Sequence, residues 1–186
     1  MSQVSAQHDR MLAGLIIPCR VVGVDLATAM VRVSDGGDWT SAWVRWHSQA
    51  AGKARHWRAP SLGEQGALIS PSGEPAQGTF VPGLYGNAGA QPDNRDHVEV
   101  WRFDDGGSLV YDWEANTYTI TLPTGQVLVK VAGSTFSVTD NAISGESPAI
   151  NFKGPVSIDG PLHVTQNITS DGSIIDVGGN SNHHTH

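Results

Sequence analysis

The chain has 186 residues, of which 39% are apolar and 16% are charged. Its 22 glycines and 10 prolines favour short strands and many turns. The formal net charge is -7, with 11 basic and 18 acidic residues and no basic run, so the clustered cations that a nucleic-acid groove needs are missing. The single cysteine, Cys19, excludes an intrachain disulfide and fits synthesis in a reducing compartment.

The first residues of the chain are polar and predict at most one short helix, around residues 8–15. The apolar run at 11–17 is too short for a membrane span, and Asp9 stands where a signal peptide carries basic residues. Pro18 before Cys19 also disfavours a lipoprotein cleavage site. We therefore expect a protein made in the cytoplasm without a targeting peptide.

Alternation of apolar and polar residues dominates the region after this N-terminal segment (1–14). Five short strands in about 70 residues favour a small closed barrel of the OB type at 15–86. The predicted strands are 16–24, 30–34, 41–46, 67–70 and 79–84. Residues 87–97 have the composition of a linker.

A second pattern of short strands with tight turns begins at residue 98. The predicted strands are 98–103, 108–113, 117–122, 126–131 and 135–138. Side chains expected to point inward alternate cleanly along two of them, as Tyr118, Ile120, Leu122 and as Val127, Val129, Val131.

The alternation then becomes a strict six-residue repeat. One large aliphatic residue recurs every six positions, at Ile150, Val156, Leu162, Ile168 and Ile174. A second apolar series runs two residues behind it, at Phe152, Ile158 and Val164, and glycines at 154, 160, 172 and 178 keep the same spacing. This pattern predicts a β-helical shaft over residues 98–178.

The repeat is too short for one chain to close its own interior. A single-chain β-helix would obtain only about one and a half coils from residues 150–176, whereas solenoids need about three or more repeats. Ordering each residue costs about 1–2 kcal/mol of backbone entropy, and the two periodic series supply only eight large apolar side chains. We therefore predict that three chains wind together and that folding and trimerisation are one event.

The last eight residues, 179–186, form the predicted apex of this shaft. His184 and His186 share one face of an extended chain, so three copies would direct six imidazoles at one point. Nitrogen-rich octahedral sites suit Fe(II) or Ni(II) better than zinc. A disordered polar tail is the competing interpretation of the same residues.

Several segments resemble the baseplate assembly protein V family, the central membrane-piercing spikes of contractile phage tails and phage-tail-like bacteriocins. The resemblance is carried by residues 43–46, 51–60, 63–65, 81–85 and 103–112, and by His184-Thr185-His186, which matches the family's iron motif. His183 matches no ligand position.

The resemblance implies an all-β protein: an N-terminal OB-fold barrel, then an intertwined trimeric triple-stranded β-helix with a metal-capped tip. It implies one Fe(II) per trimer, held by His184 and His186 of three chains. The implied partners are two further copies, the tail hub and baseplate, which the OB domain would contact, and the host outer membrane at the apex. The implied location is the tail tip, after assembly in the bacterial cytoplasm.

Two other classes of protein share parts of this sequence pattern. A hexapeptide-repeat acyltransferase shares the six-residue period but needs several complete coils and a catalytic histidine between subunits. An OB-fold nucleic-acid-binding protein could stack bases on the six tryptophans, but Arg45, Lys53, Arg55 and Arg58 are the only nearby cations. No catalytic constellation is evident from residue spacing, so we expect no enzymatic activity.

Overall fold

The computed structural model describes residues 3–175 and is built mainly of β-strands. The chain divides into two compact units, Met1–Pro123 and Thr124–His186, which are described separately. The predicted boundaries of the N-terminal segment, linker, shaft and apex remain predictions. No helix among residues 3–175 is long and apolar enough to cross a membrane.

The first unit opens with helix α1 (Gln3–Gly14), which starts five residues before the predicted helix. The sequence from Gln3 to Ala13 contains no glycine or proline, so the helix continues toward the N-terminus although its residues are mostly polar. Gly14 ends it against a turn: a Cβ added at Gly14 would lie 2.7 Å from the carbonyl oxygen of Gly73. Helix and turn can approach this closely because both residues are glycines.

A closed five-stranded barrel follows the helix. Its strands are β1 (Ile16–Asp25), β2 (Met30–Ser34), β3 (Val44–Trp46), β4 (Gln65–Ile69) and β5 (Thr79–Leu84). They close in the order β1-β2-β3-β5-β4, with β3 and β5 parallel and every other pair antiparallel. The predicted OB-type barrel is confirmed.

The barrel interior holds the hydrophobic core. The buried apolar residues are Cys19, Val21, Val31, Val33, Val44, Leu68 and Phe80. Strand β4 must carry a glycine opposite the largest of them, because a Cβ at Gly66 would lie 2.6 Å from the Phe80 ring. The apolar residues of the alternating pattern in the barrel strands therefore point into the interior.

Strand β3 is shorter than predicted, starting at Val44 rather than residue 41. The reason is Ser41, whose backbone N–H donates to the Val33 carbonyl at 2.8 Å and whose hydroxyl accepts from the Val33 N–H at 3.0 Å. Ser41 therefore forms hydrogen bonds with both backbone polar groups of Val33. Its hydroxyl takes the place of a backbone carbonyl of the β-ladder, so the strand does not extend to this residue.

A three-stranded antiparallel sheet completes the first unit. It contains β6 (Val98–Arg102), β7 (Ser108–Asp112) and β8 (Thr117–Thr121), in that order. Aspartates close both turns: Asp105 accepts from the Gly107 N–H at 2.9 Å, and Asp112 accepts from the Ala115 N–H at 2.8 Å. All three strands were predicted, each ending within one residue of its observed end.

The second unit begins with another three-stranded antiparallel sheet. Its strands are β9 (Val127–Val131), β10 (Ser134–Val138) and β11 (Ile143–Glu146), with β10 in the middle. The sequence did not predict β11, because Ile143 is its only large apolar residue. It is positioned by a turn in which the Thr139 N–H donates to the Ala142 carbonyl at 2.9 Å.

Residues 147–175 form no strand within the single chain. They run as extended segments separated by bends at Pro148, Gly154, Gly160, Thr165–Gln166 and Asp171–Gly172. Gly154 and Gly160 have φ angles of +128° and +138°, a backbone conformation that other residues rarely adopt. The six-residue period of the sequence is thus a six-residue period of backbone bends.

Candidate functional site

The β6–β8 sheet carries an exposed apolar face. The register pairs Trp101 with Leu109 and Leu109 with Ile120, so these three side chains form one row across the sheet. The Tyr111 and Tyr118 rings lie on the same face, with centroids 6.3 Å apart. Tyr118 is 61% exposed in the single chain. A row of aromatic and aliphatic side chains this open to water is characteristic of an interface.

The β9–β11 sheet has the same asymmetry. One face pairs Val129 with Phe136, and Val138 with both Val127 and Ile143. The other face is mainly polar and places Thr135 between Lys130 and Glu146, and Leu128 is the one large apolar side chain that its three strands carry there. The exposed apolar side chains on the first face are Val129, Val131, Phe136, Val138 and Ile143. Among the described residues, this apolar face is left largely open to water.

The six-residue repeat exposes apolar side chains in the same way. Those of the described repeat are between 42% and 81% exposed: Ile150, Phe152, Val156, Ile158, Leu162, Val164, Ile168, Ile174 and Ile175. The backbone of residues 147–175 makes no backbone-to-backbone hydrogen bond within the described part of the chain. Exposed aliphatic side chains and peptide groups that lack a backbone partner within residues 3–175 are typical of a segment that pairs with further strands.

The predicted inward positions agree with these faces, but the prediction was incomplete. Tyr118 and Ile120 lie on the apolar face of their sheet, as do Val127 and Val129 on theirs. The aromatic half of the first face, Trp101 and Tyr111, was not assigned from the sequence. The signal was present in the alternation of β6 and β7, but alternation alone does not say which face is covered.

The tryptophans divide between the barrel core and the surface. Trp39 and Trp46 pack against the core, and Trp57 lies over Trp46 with ring centroids 5.4 Å apart. Trp43 is stacked under the Arg32 guanidinium, whose Cζ is 5.9 Å from the ring centroid. The cation Arg58 is held by Glu64 through two contacts of 2.6 and 3.1 Å, so it is engaged within the chain.

A charged cluster ties the segment before β6 to the end of β7. Arg95 contacts Asp93 at 2.8 Å and Asp112 at 3.1 Å, while His97 lies 3.1 Å from Asp96. Hydrogen bonds from Arg95 hold the pKa of the Asp93 carboxyl well below its usual range. The segment with linker composition is thus fastened to the first sheet at this point.

The predicted metal ligands His184 and His186 lie outside the described residues. Within residues 3–175, no group of three or more histidine, cysteine or acidic side chains is arranged to hold a metal ion. The iron assignment at 179–186 therefore stays a prediction.

Comparison with known proteins matches both parts of the chain. Residues 17–85 match the Type VI secretion system/phage-baseplate injector OB domain, and residues 99–170 match the Gp138 beta helical trimerization domain. Over 113 residues the chain is 33% identical to the spike protein of Escherichia phage P2. That alignment covers 60% of this chain and 53% of the phage protein, so the chain spans about half the length of this curated relative.

These matches confirm the predicted resemblance and fold class. The chain carries a baseplate injector OB domain followed by a β-helical trimerization domain, in the predicted order. The trimerization domain supports a homotrimer, and the OB domain supports association with a baseplate.

Proposed function

We propose that this chain is a non-enzymatic, homotrimeric spike at the tip of a contractile tail, which pierces the outer membrane of a target bacterium when the sheath contracts. One observation carries the proposal. Residues 147–175 are extended, bend every six residues, expose their aliphatic side chains and form no backbone-to-backbone hydrogen bond within the described part of the chain. The matches to spike and baseplate domains point the same way.

Three chains wound together supply what one chain lacks. Each extended segment gains a neighbour for its N–H and C=O groups, and the aliphatic side chains meet on a common axis. Leu162 and Val164 point to one side of their segment and His163 to the other, because side chains alternate in extended backbone. The shaft then has an apolar axis and a polar surface.

Such a shaft suits piercing for mechanical reasons. Continuous interchain hydrogen bonds and a dry, close-packed axis resist bending and compression. The sheath would drive a point only three chains wide against the membrane, so the applied force is concentrated on a small area. The barrel domains would contact the baseplate, a role that the match to a phage-baseplate injector OB domain supports. Assembly would take place in the cytoplasm of the producing bacterium.

His184 and His186 of three chains would hold one Fe(II) at the apex. A set of six imidazole nitrogens fits octahedral coordination, which Fe(II) accepts and zinc disfavours. When bound, the metal would supply a crosslink between the three chain ends. The histidines would thereby keep the tip from splaying at the position where fraying begins.

Replacing Leu162 with aspartate tests the shared axis. In the single chain this side chain is 63% exposed, so the substitution leaves an isolated chain nearly unaffected. In a trimer it would place three carboxylates on an apolar axis, which costs several kcal/mol unless they are neutralised. We expect Leu162→Asp to abolish or strongly destabilise the trimer, measured by light scattering after size-exclusion chromatography and by thermal unfolding.

His163→Asp is the matched control because it introduces the same charge one residue away on the other side of the segment. It should leave trimer mass and melting temperature nearly unchanged. Equal stability of the two variants would contradict the inward position of Leu162 and, with it, the shaft.

A further inference from the structure

A cleft of about 910 Å³ lies on the first unit, between the barrel and the β6–β8 sheet. Large apolar side chains from both parts line it: Trp57, Leu84, Tyr85, Trp101 and Phe103. Tyr85 is 71% exposed and Trp57 is 62% exposed. So much aromatic surface is rarely left uncovered on a protein that works as a monomer.

The walls of the cleft are held in place by contacts within the chain. Glu64, which is 8% exposed, binds Arg58 through both carboxylate oxygens and accepts from the Ser61 N–H at 2.9 Å. Gly86 and Gly89 exchange backbone hydrogen bonds of 3.0 and 3.1 Å directly after Tyr85. The His56 ring meets Trp101 edge-on, with centroids 6.2 Å apart. The segments that carry the aromatic side chains are therefore fixed before a partner binds, which lowers the entropic cost of binding.

The cleft is continuous with the trimerization surface. Trp101 lines the cleft and also belongs to the row with Leu109 and Ile120 on the apolar face of the sheet. The match to the trimerization domain begins at residue 99, two residues before Trp101. Glu99 lies on the same face and accepts from the Trp101 indole N–H at 3.1 Å, so an interface that covers the sheet face reaches the mouth of the cleft through Trp101.

We propose that a neighbouring copy of this chain occupies the cleft in the trimer. The barrel domains would then contribute to the intersubunit interface in addition to the shaft. The inference rests on the proposed trimer. A contact between different surfaces of successive copies closes a threefold ring, because each copy offers a cleft and fills the next one. The shaft holds the copies together at high effective concentration, so even a weak contact there would be occupied.

Site-specific photo-crosslinking on the full chain tests this inference. Benzoylphenylalanine replaces Tyr85 in one variant and Leu26 in the control, since Leu26 is 61% exposed in the barrel but does not line the cleft. We expect irradiation of the purified chain at low micromolar concentration to give covalent dimers and trimers from the Tyr85 variant. The Leu26 variant should remain a single chain on a denaturing gel.

Each outcome separates the two proposals. A particle of three chains that yields no covalent oligomer from position 85 would overturn the inference while leaving the spike intact. Crosslinking that appears only after baseplate proteins are added would also overturn it and assign the cleft to a baseplate partner. If the chain is monomeric before irradiation, the proposed function itself fails.

Tyr85→Asp gives a second measurement that does not depend on the photochemistry. The exposed side chain is not needed for the barrel core, so the variant should fold and trimerise through its shaft. We expect the amide hydrogens of residues 83–86 and 100–103 to exchange faster with solvent than in the unaltered trimer. Identical exchange in both proteins would contradict an intersubunit contact at the cleft.

Discussion

The reactivity of Cys19 measures whether the barrel is closed. Its side chain is part of the buried core, and burial raises the pKa of the thiol from 9.0 to about 11. Because the reactive species is the thiolate, the folded protein should react slowly with thiol reagents at pH 8 and rapidly once unfolded. Labelling with and without denaturant, followed by mass spectrometry, measures this difference. Fast labelling of the native protein would mean that the barrel opens at β1.

The same raised pKa predicts a loss of stability in alkaline solution. Below pH 9 the thiol is neutral in both states, and the contribution of Cys19 to stability is fully present. Between pH 9 and about 11 the unfolded chain ionises first, so the free energy of unfolding falls with rising pH. Cys19→Ala should reduce this pH dependence of unfolding.

The apex histidines give a further prediction at the scale of residues. Elemental analysis of the purified protein should find about one iron per three chains, as expected for one octahedral site built from two histidines of each chain. His184→Ala combined with His186→Ala should remove the metal and leave the trimer assembled, since the apolar axis and not the metal holds it together. A pure preparation without transition metal would refute the assignment, and a monomeric double variant would refute the source of assembly.

At the scale of elements, most strands could be predicted because alternation and turn residues coincide. Strands β2 and β5 were predicted at their observed limits, and β6–β8 to within one residue. Prediction failed where the deciding contact is not apolar. Ser41 shortens β3 through its hydroxyl, and β11 is fixed by the turn at Thr139 rather than by its own side chains.

The two faces of the β9–β11 sheet allow a substitution on the apolar face to be compared with a control substitution on the opposite face. Phe136 lies on the apolar face and its neighbour Ser137 on the opposite face. If three copies cover the apolar face, Phe136→Ala should cost about 3–5 kcal/mol of stability per chain. Ser137→Ala should change stability by no more than about 0.5 kcal/mol. Denaturant unfolding of the two variants compares them, and a small cost at Phe136 would mean that this face stays exposed in the assembly.

At the scale of the whole molecule, the six-residue repeat is the most informative feature of the sequence. Its shortness predicted that one chain could not bury its aliphatic side chains, and those among the described residues are exposed. The observed bends at Gly154 and Gly160 follow the same six-residue spacing. The cleft beside Trp57 and Tyr85 could not be predicted, because its lining residues come from separate parts of the sequence and meet only in the fold. The predicted apex, residues 179–186, lies outside the described residues.

Folding and association should therefore be inseparable for this protein. An isolated chain would have to order residues 147–175 without burying their aliphatic side chains or pairing their backbone groups. A trimer meets both needs at once, and its apparent stability should rise with protein concentration.

Sedimentation equilibrium of the full chain at micromolar concentration tests this account most directly. We predict a single species with three times the mass of one chain. A stably folded species with the mass of one chain would contradict it.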